Sequence, residues 1–194
     1  MIVGLTGGIG SGKTTVANLF AQFENVIIYN ADSEAKKLME SSSTIKSKII
    51  EVFGKESYEN NQLNRPYIAS LVFKDRIKLD VLNSIVHPEV KKHFQQFVNQ
   101  HNNKDYIVYE NAILFESKSN LYCDIIISVY APLDIRIERT MLRDRSSRAT
   151  VESRIKNQWL EEKKLLQSNY MISNTKSEKT HFEVIQIHNI LTKK

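Results

Sequence analysis

Residues 3–15 read VGLTGGIGSGKTT, and a chain that carries this stretch has few folds open to it. Inside it lies Gly7-x-x-x-x-Gly12-Lys13-Thr14, the phosphate-binding loop pattern. The apolar run Met1–Leu5 ahead of it suits a buried strand, and Val16-Ala17-Asn18-Leu19-Phe20 behind it continues as a helix. Strand, glycine-rich turn and helix start together make an anion site, because successive backbone N–H groups and the helix N-terminus converge there. Glycines let that backbone come close to phosphate oxygens. In such a loop Lys13 reaches the β- and γ-phosphates of a nucleoside triphosphate, and the Thr14 hydroxyl holds Mg²⁺. An ordinary glycine-rich turn is the competing reading; Lys-Thr at the helix start, behind Gly7, Gly8, Gly10 and Gly12, argues against it.

The rest of the chain alternates strands with helices. Strands are expected at 25–29, 106–109, 124–130 and 170–173, the most apolar being DIIISVY. Helices are expected at 13–20, 32–40, 45–53, from Pro66 to about His101, from Pro132 to about Arg143, onward to about Leu166, and over 178–191. Pro66 and Pro88 both suit the first turn of a helix. Gly54 to Arg65 is polar and turn-rich and reads as a loop. This order implies an α/β fold: a parallel five-stranded sheet with helices on both faces. Residues 32–103 are too long for a simple crossover and read as an inserted helical subdomain. The core is then 1–31 with 104–194, and 143–155 is a lid within it.

Composition limits the partners. The 194 residues carry a net charge of +5 and a single cysteine, Cys123. One cysteine excludes an internal disulfide and a cysteine-built zinc site, and fits a reducing cytoplasm. The N-terminus opens directly on a strand, which leaves no room for a signal peptide. No apolar run is long enough to span a membrane. Six of the eight arginines fall between Arg136 and Arg154, a local cluster suited to bidentate contacts with phosphate.

Three classes of protein share this loop. A motor ATPase follows it with an apolar strand ending in Asp, and no such segment is evident; Tyr106-Ile107-Val108-Tyr109-Glu110 comes nearest. A GTPase needs Asn-Lys-x-Asp, which Asn103-Lys104-Asp105 lacks. Small size, a helical insertion and a late arginine cluster suit a small-molecule kinase, whose lid excludes water and adds positive charge at the transferred phosphoryl group. Asp32, just after the second strand, is the candidate general base; its alternative role is to cap the next helix. A nucleic-acid binder using the arginines is a further alternative, disfavoured because no aromatic residues interleave them.

LTGGIGSGKTTVA, the pair Ala31-Asp32, Val86-His87-Pro88 and the late Arg139-x-x-x-Arg143-Asp144 occur in one order over nearly the whole chain. In this the sequence resembles the dephospho-coenzyme A kinases. That resemblance implies a nucleotide-binding core, a helical coenzyme A domain and a lid. It also implies transfer of the ATP γ-phosphate to the ribose 3′-hydroxyl of dephospho-coenzyme A, with Mg²⁺, by a monomer or weak homo-oligomer that uses neither nucleic acid nor membrane. By position, Gly10, Ser11, Gly12, Lys13, Thr14 and Thr15 bind phosphates, and Asp32 is the base. Arg139 and Arg143 contact phosphates, and Arg148 belongs to the lid. His87 shapes the substrate site, Glu116 lies near the substrate, and Asn174 lies near the adenine. Two positions depart from the family pattern. Asn30 stands where many members have Asp, which leaves Asp32 as the only carboxylate in its element. Ala112 stands where many have Pro, and the preceding Glu110-Asn111 is polar where others are apolar, so Glu110 is a candidate carboxylate for metal or substrate. A nucleoside or nucleotide kinase on the same fold is the alternative function.

Overall fold

A computed structural model describes residues 1–72 and 75–193. Contacts divide the chain into two compact units: Met1–Asn30 with His101–Lys194, and Ala31–Gln100.

The first unit is built on β1 (Ile2–Thr6), which runs into the phosphate loop and then α1 (Lys13–Phe20) and β2 (Val26–Asn30). After the second unit the chain returns as β5 (Tyr106–Glu110), β6 (Ile125–Tyr130), α6 (Leu133–Asp144), α7 (Arg148–Lys156), α8 (Glu161–Leu166), β7 (Tyr170–Ser173) and α9 (Ser177–Thr192). The five strands lie in the order β2-β5-β1-β6-β7, all parallel. β1 is central, and the chain leaves it toward one edge and later fills the other. Its carboxyl end is therefore a topological switch point, where open α/β sheets bind ligands.

Side-chain alternation explains why both faces are covered. Val3 and Leu5 of β1 join Ile127 and Val129 of β6 in a cluster with Val16, Ala17 and Phe20 of α1 and Val184 and Ile187 of α9. Gly4, between Val3 and Leu5, faces the other way; a Cβ there would press on Cys123 and Leu114. Such two-sided burial needs continuous apolar strands, as IIISVY supplies.

The second unit contains α2 (Ala31–Ser41), α3 (Ser43–Phe53), β3 (Tyr58–Glu59), β4 (Gln62–Leu63), α4 (Arg65–Val72) and α5 (Arg76–Gln100). Its core gathers Ile45, Ile49, Phe53, Ile68, Val72, Ile85, Val86, Val90 and Phe94. Ser42 caps α3 by accepting from the Ile45 N–H at 3.3 Å. The Tyr58 hydroxyl donates to the Met39 carbonyl at 2.7 Å, and Tyr67 donates to that of Phe53 at 2.9 Å.

Three readings of the sequence change here. The segment read as a loop holds a small antiparallel hairpin, closed by Asn60 and Asn61 at φ 47° and 69°. Asparagine tolerates the left-handed region at both centres of such a turn. Pro66 sits in the first turn of α4 as expected, but Pro88 lies inside the 25-residue α5. A proline there removes one backbone hydrogen bond; α5 continues through it because Ile85, Val86, Val90 and Phe94 on either side are buried. The helix expected to run to Leu166 is broken between Lys156 and Glu161.

Ile127 is fully buried, whereas Met171 on the edge strand is half exposed. Ile127→Ala is expected to lower unfolding stability by about 2–5 kcal/mol, and Met171→Ala by less than about 0.5 kcal/mol. Denaturant melts of the two variants would check this.

Candidate active site at the phosphate loop

β1 ends at Thr6, and α1 starts at Lys13 with Gly12 as its N-cap at φ 86°. No side chain caps that end, and its first turn holds no acidic residue. The positive end of the helix is thus left for an anion. Gly12 is needed twice over. Its φ is left-handed, and a Cβ would strike the Asn174 amide nitrogen.

The loop folds its lysine back over itself. Lys13 Nζ donates to the carbonyls of Gly7 at 2.9 Å and Gly8 at 3.3 Å, which sets an almost buried ammonium at the loop's mouth. Beside it, the Thr14 hydroxyl donates to Glu110 Oε1 at 2.7 Å, and Asn30 Nδ2 donates to Glu110 Oε2 at 2.7 Å. Glu110 ends β5, all five of whose residues are buried. The apolar strand ending in an acid, which seemed missing, is therefore present with Glu in place of Asp. A threonine hydroxyl has one proton. Spending it on Glu110 turns its lone pairs outward, where a cation can use them. Among the described residues no group of three His, Cys, Asp or Glu could hold a metal. A threonine hydroxyl backed by a carboxylate is an oxygen donor set that fits Mg²⁺, which takes few protein ligands and completes its shell with phosphate oxygens and water.

Asn174, which follows β7, braces the loop. Its Nδ2 donates to the Ser11 carbonyl at 2.8 Å, its Oδ1 accepts from Thr180 at 3.2 Å, and its backbone carbonyl accepts from Arg139 at 3.0 Å. Arg139 is thereby brought to the loop's rim. Arg143 instead forms a double contact with Asp144 at 2.7 and 3.1 Å, and Arg154 reaches the same carboxylate at 2.6 Å. The Arg143 hydrogen bonds, then those of Arg154, hold the Asp144 carboxyl well below the usual carboxylate range. Arg148 pairs with Asp134 and Glu152 on the surface. Glu116 accepts from Lys164, whose side chain is wholly buried, at 2.9 Å and from the Trp159 N–H at 2.8 Å.

Three residues tied to the loop escaped the sequence reading: Gln158, which accepts from the Ile9 N–H at 2.8 Å, Arg136 and Glu161. Arg136 Nε donates to the Ile9 carbonyl at 3.0 Å while its guanidinium pairs with Glu161, both ends buried. Their separations from the loop, 149, 127 and 153 residues, put them beyond any local pattern.

In the helical unit, Asp32 lies in the first turn of α2 rather than capping it. Burial lowers the His87 pKa, and the Asp32 carboxylate opposes this in part. The folded helical unit thus favours the neutral imidazole at His87, with the Asp32 carboxylate working against it.

A parallel sheet with its phosphate loop at the central strand, Lys13 and Thr14 on the following helix and an acid on the neighbouring strand define a phosphate-loop nucleotide-binding enzyme. The family model for dephospho-CoA kinase matches residues 1–179. A dephospho-CoA kinase from Bacteroides fragilis is 36% identical over 172 residues, covering 89% of this chain and 83% of that protein. One from Porphyromonas gingivalis is 40% identical over 156 residues, covering 80% and 76%. A crystal structure from Thermus thermophilus superposes with a TM-score of 0.86 at 28% identity, over 100% of this chain and 98% of that one. The chain belongs to the dephospho-CoA kinase family.

Two predictions follow from these contacts. Asn30→Asp sets a carboxylate against Glu110 and removes a half-buried donor, which is expected to cost about 1–3 kcal/mol. Adding Glu110→Gln restores a donor and should recover most of the loss, a coupling that a double-mutant cycle of thermal melts would measure. For His87, the unfolded chain takes up a proton that the folded helical unit resists. Stability is then full above the ordinary histidine pKa of about 6.5 and falls as pH drops below it. His87→Gln should flatten that acid-side loss in melts taken between about pH 5 and 7.

Proposed function

We propose that this chain transfers the γ-phosphoryl group of ATP to the ribose 3′-hydroxyl of dephospho-coenzyme A, giving coenzyme A and ADP. The observation that carries this reading is the pairing of Lys13 and Thr14 at the start of α1, with Glu110 behind the hydroxyl, in a chain whose relatives are named for that activity.

Each residue then has a task. The backbone of Gly10–Thr15 and the positive end of α1 bind the β- and γ-phosphates, and the Lys13 ammonium shares their charge. The Thr14 hydroxyl, oriented by Glu110, would hold a Mg²⁺ bound with the nucleotide, which would supply charge neutralisation at the phosphates. Asp32 accepts the proton of the attacking 3′-hydroxyl. His87, whose pKa burial lowers, helps shape the substrate site. Arg139 sits beside the loop through Asn174 and is the first arginine to meet the phosphates. Arg143 and Arg148 stand on the hairpin of α6 and α7, where Asp144, Asp134 and Glu152 hold them; phosphate competes for them with those carboxylates. Residues 32–103 form the coenzyme A subdomain, and 143–155 the lid. Glu116 lies near the substrate and acts through its ion pair with Lys164, and Asn174 lies near the adenine while bracing the loop. The chain's one cysteine, Cys123, is half-buried, and burial pushes its thiol up to about 12; the same reading puts the enzyme in the reducing cytoplasm. The same reading makes it a monomer or weak homo-oligomer.

The deciding assay is 3′-phosphorylation of dephospho-coenzyme A with ATP and Mg²⁺. Transfer to a nucleoside but not to dephospho-coenzyme A would sink the proposal. Asp32→Asn is expected to lower kcat by about a hundredfold or more while ATP still binds. Lys13→Ala should weaken both nucleotide binding and turnover.

A further inference from the structure

The segment after α7 is not a passive connection. It breaks the helix expected there, and its side chains reach the phosphate loop. Gln158 Oε1 accepts from the Ile9 N–H at 2.8 Å, and Glu161 Oε1 accepts from the Gly8 N–H at 3.1 Å. The other Glu161 oxygen pairs with Arg136, which itself grips the Ile9 carbonyl. Gly8 must be glycine for this, because a Cβ would collide with the Arg136 guanidinium and the Glu161 carboxylate. Two loop amides are thus taken by protein acceptors, which leaves the phosphates to Gly10–Thr15. Between the two acceptors lies Trp159, the chain's only tryptophan. Its ring stacks on Phe115 with centroids 5.8 Å apart, and Lys163 Nζ stands 3.5 Å over its centroid. Its backbone N–H donates to Glu116, which is fixed in turn by buried Lys164.

We propose that Gln158, Trp159 and Glu161 form a latch. It holds residues 8 and 9 of the loop in the nucleotide-accepting shape and ties the loop to the arginine-bearing hairpin of α6 and α7. Gln158 and Glu161 are then positioning residues for the phosphoryl transfer proposed above, on which this inference rests. The physical logic is direct. A glycine-rich loop has little side-chain packing of its own to set its shape. Acceptors on two of its amides and donors on the Ile9 carbonyl supply that constraint from outside. Because the same segment ends α7, occupancy of the loop and the placing of the hairpin arginines become one linked event.

Trp159 reports on the latch without any turnover. Titration of the protein with MgADP, followed by tryptophan emission and by calorimetry, is expected to give a saturable emission change with the calorimetric Kd. Binding without any emission change would overturn the coupling. Gln158→Ala removes the acceptor for Ile9 and is expected to weaken ADP binding about tenfold and abolish the emission change. Its circular dichroism melt should remain close to the parent's. Glu161→Gln keeps an acceptor for Gly8 but loses the charge opposite Arg136. It should weaken ADP binding several-fold, and it carries the test if Gln158→Ala does not fold. Kd values and emission amplitudes within twofold of the parent in the folded variants would overturn the proposal, as would weaker binding with the amplitude intact. In turnover, the folded variants should raise the KM for ATP and lower kcat while the KM for dephospho-coenzyme A stays unchanged. A purely structural defect would instead lower the active fraction alone. Failure of the kinase assay with the ADP response intact would sink the assigned reaction and leave the latch standing.

Discussion

Everything in the nucleotide-binding unit depends on how a loop made largely of glycine keeps one shape. Such a loop must offer backbone amides to an anion, so it has few side chains with which to pack itself. Here its constraints come from elsewhere. Asn174 holds the Ser11 carbonyl, Arg136 holds that of Ile9, and Gln158 and Glu161 hold the amides of Ile9 and Gly8. These four residues come from β7's end, α6 and the segment entering α8, elements that the parallel sheet brings to one edge of β1. Lys13 adds a contact from within by returning to the Gly7 and Gly8 carbonyls. The glycines matter because Arg136 and Glu161 sit where a Cβ on Gly8 would lie, and Asn174 where one on Gly12 would.

The charges around the loop follow one rule: those in the interior are paired. Arg136 meets Glu161, Lys164 meets Glu116, and Glu110 is matched by two neutral donors, Thr14 and Asn30. Buried ions so arranged add little net stability, yet removing one partner is costly. They therefore specify geometry rather than strength. The exposed arginines differ. Arg143, Arg148 and Arg154 rest on carboxylates of their own hairpin, in pairs that a polyphosphate can replace. The chain thus carries fixed cations in the frame and exchangeable ones on the hairpin.

Much of the frame was legible because local chemistry dictates it. IIISVY and YIVYE are apolar enough to be buried on both faces, and Gly-Lys-Thr after a strand marks the start of α1. What misled was equally local. Pro88 looked like a helix start because proline favours that place, but tertiary burial on both sides outweighed its lost hydrogen bond. Asn60-Asn61 carried a hairpin signal inside a stretch polar enough to read as loop. The strand ending in Glu110 was legible as the nearest match to an acid-terminated strand, but its contact with Thr14 was not. The longer side chain reaches Thr14 only because β5 lies beside β1.

By itself the sequence determined the class of sheet and the phosphate loop. Each depends on periodicity or on residues adjacent in the chain. Only the tertiary structure decided what surrounds the loop. The partners of Gly8, Ile9 and Thr14 lie 153, 149 and 96 residues away. No local pattern encodes such pairings, since they exist only once the crossover connections have set β5, β6 and β7 against β1. Asp32 and His87 show the same division within the helical unit. Their residue types were readable, but the burial that lowers the His87 pKa, and the Asp32 carboxylate that opposes it in part, arise only when α2 and α5 pack together.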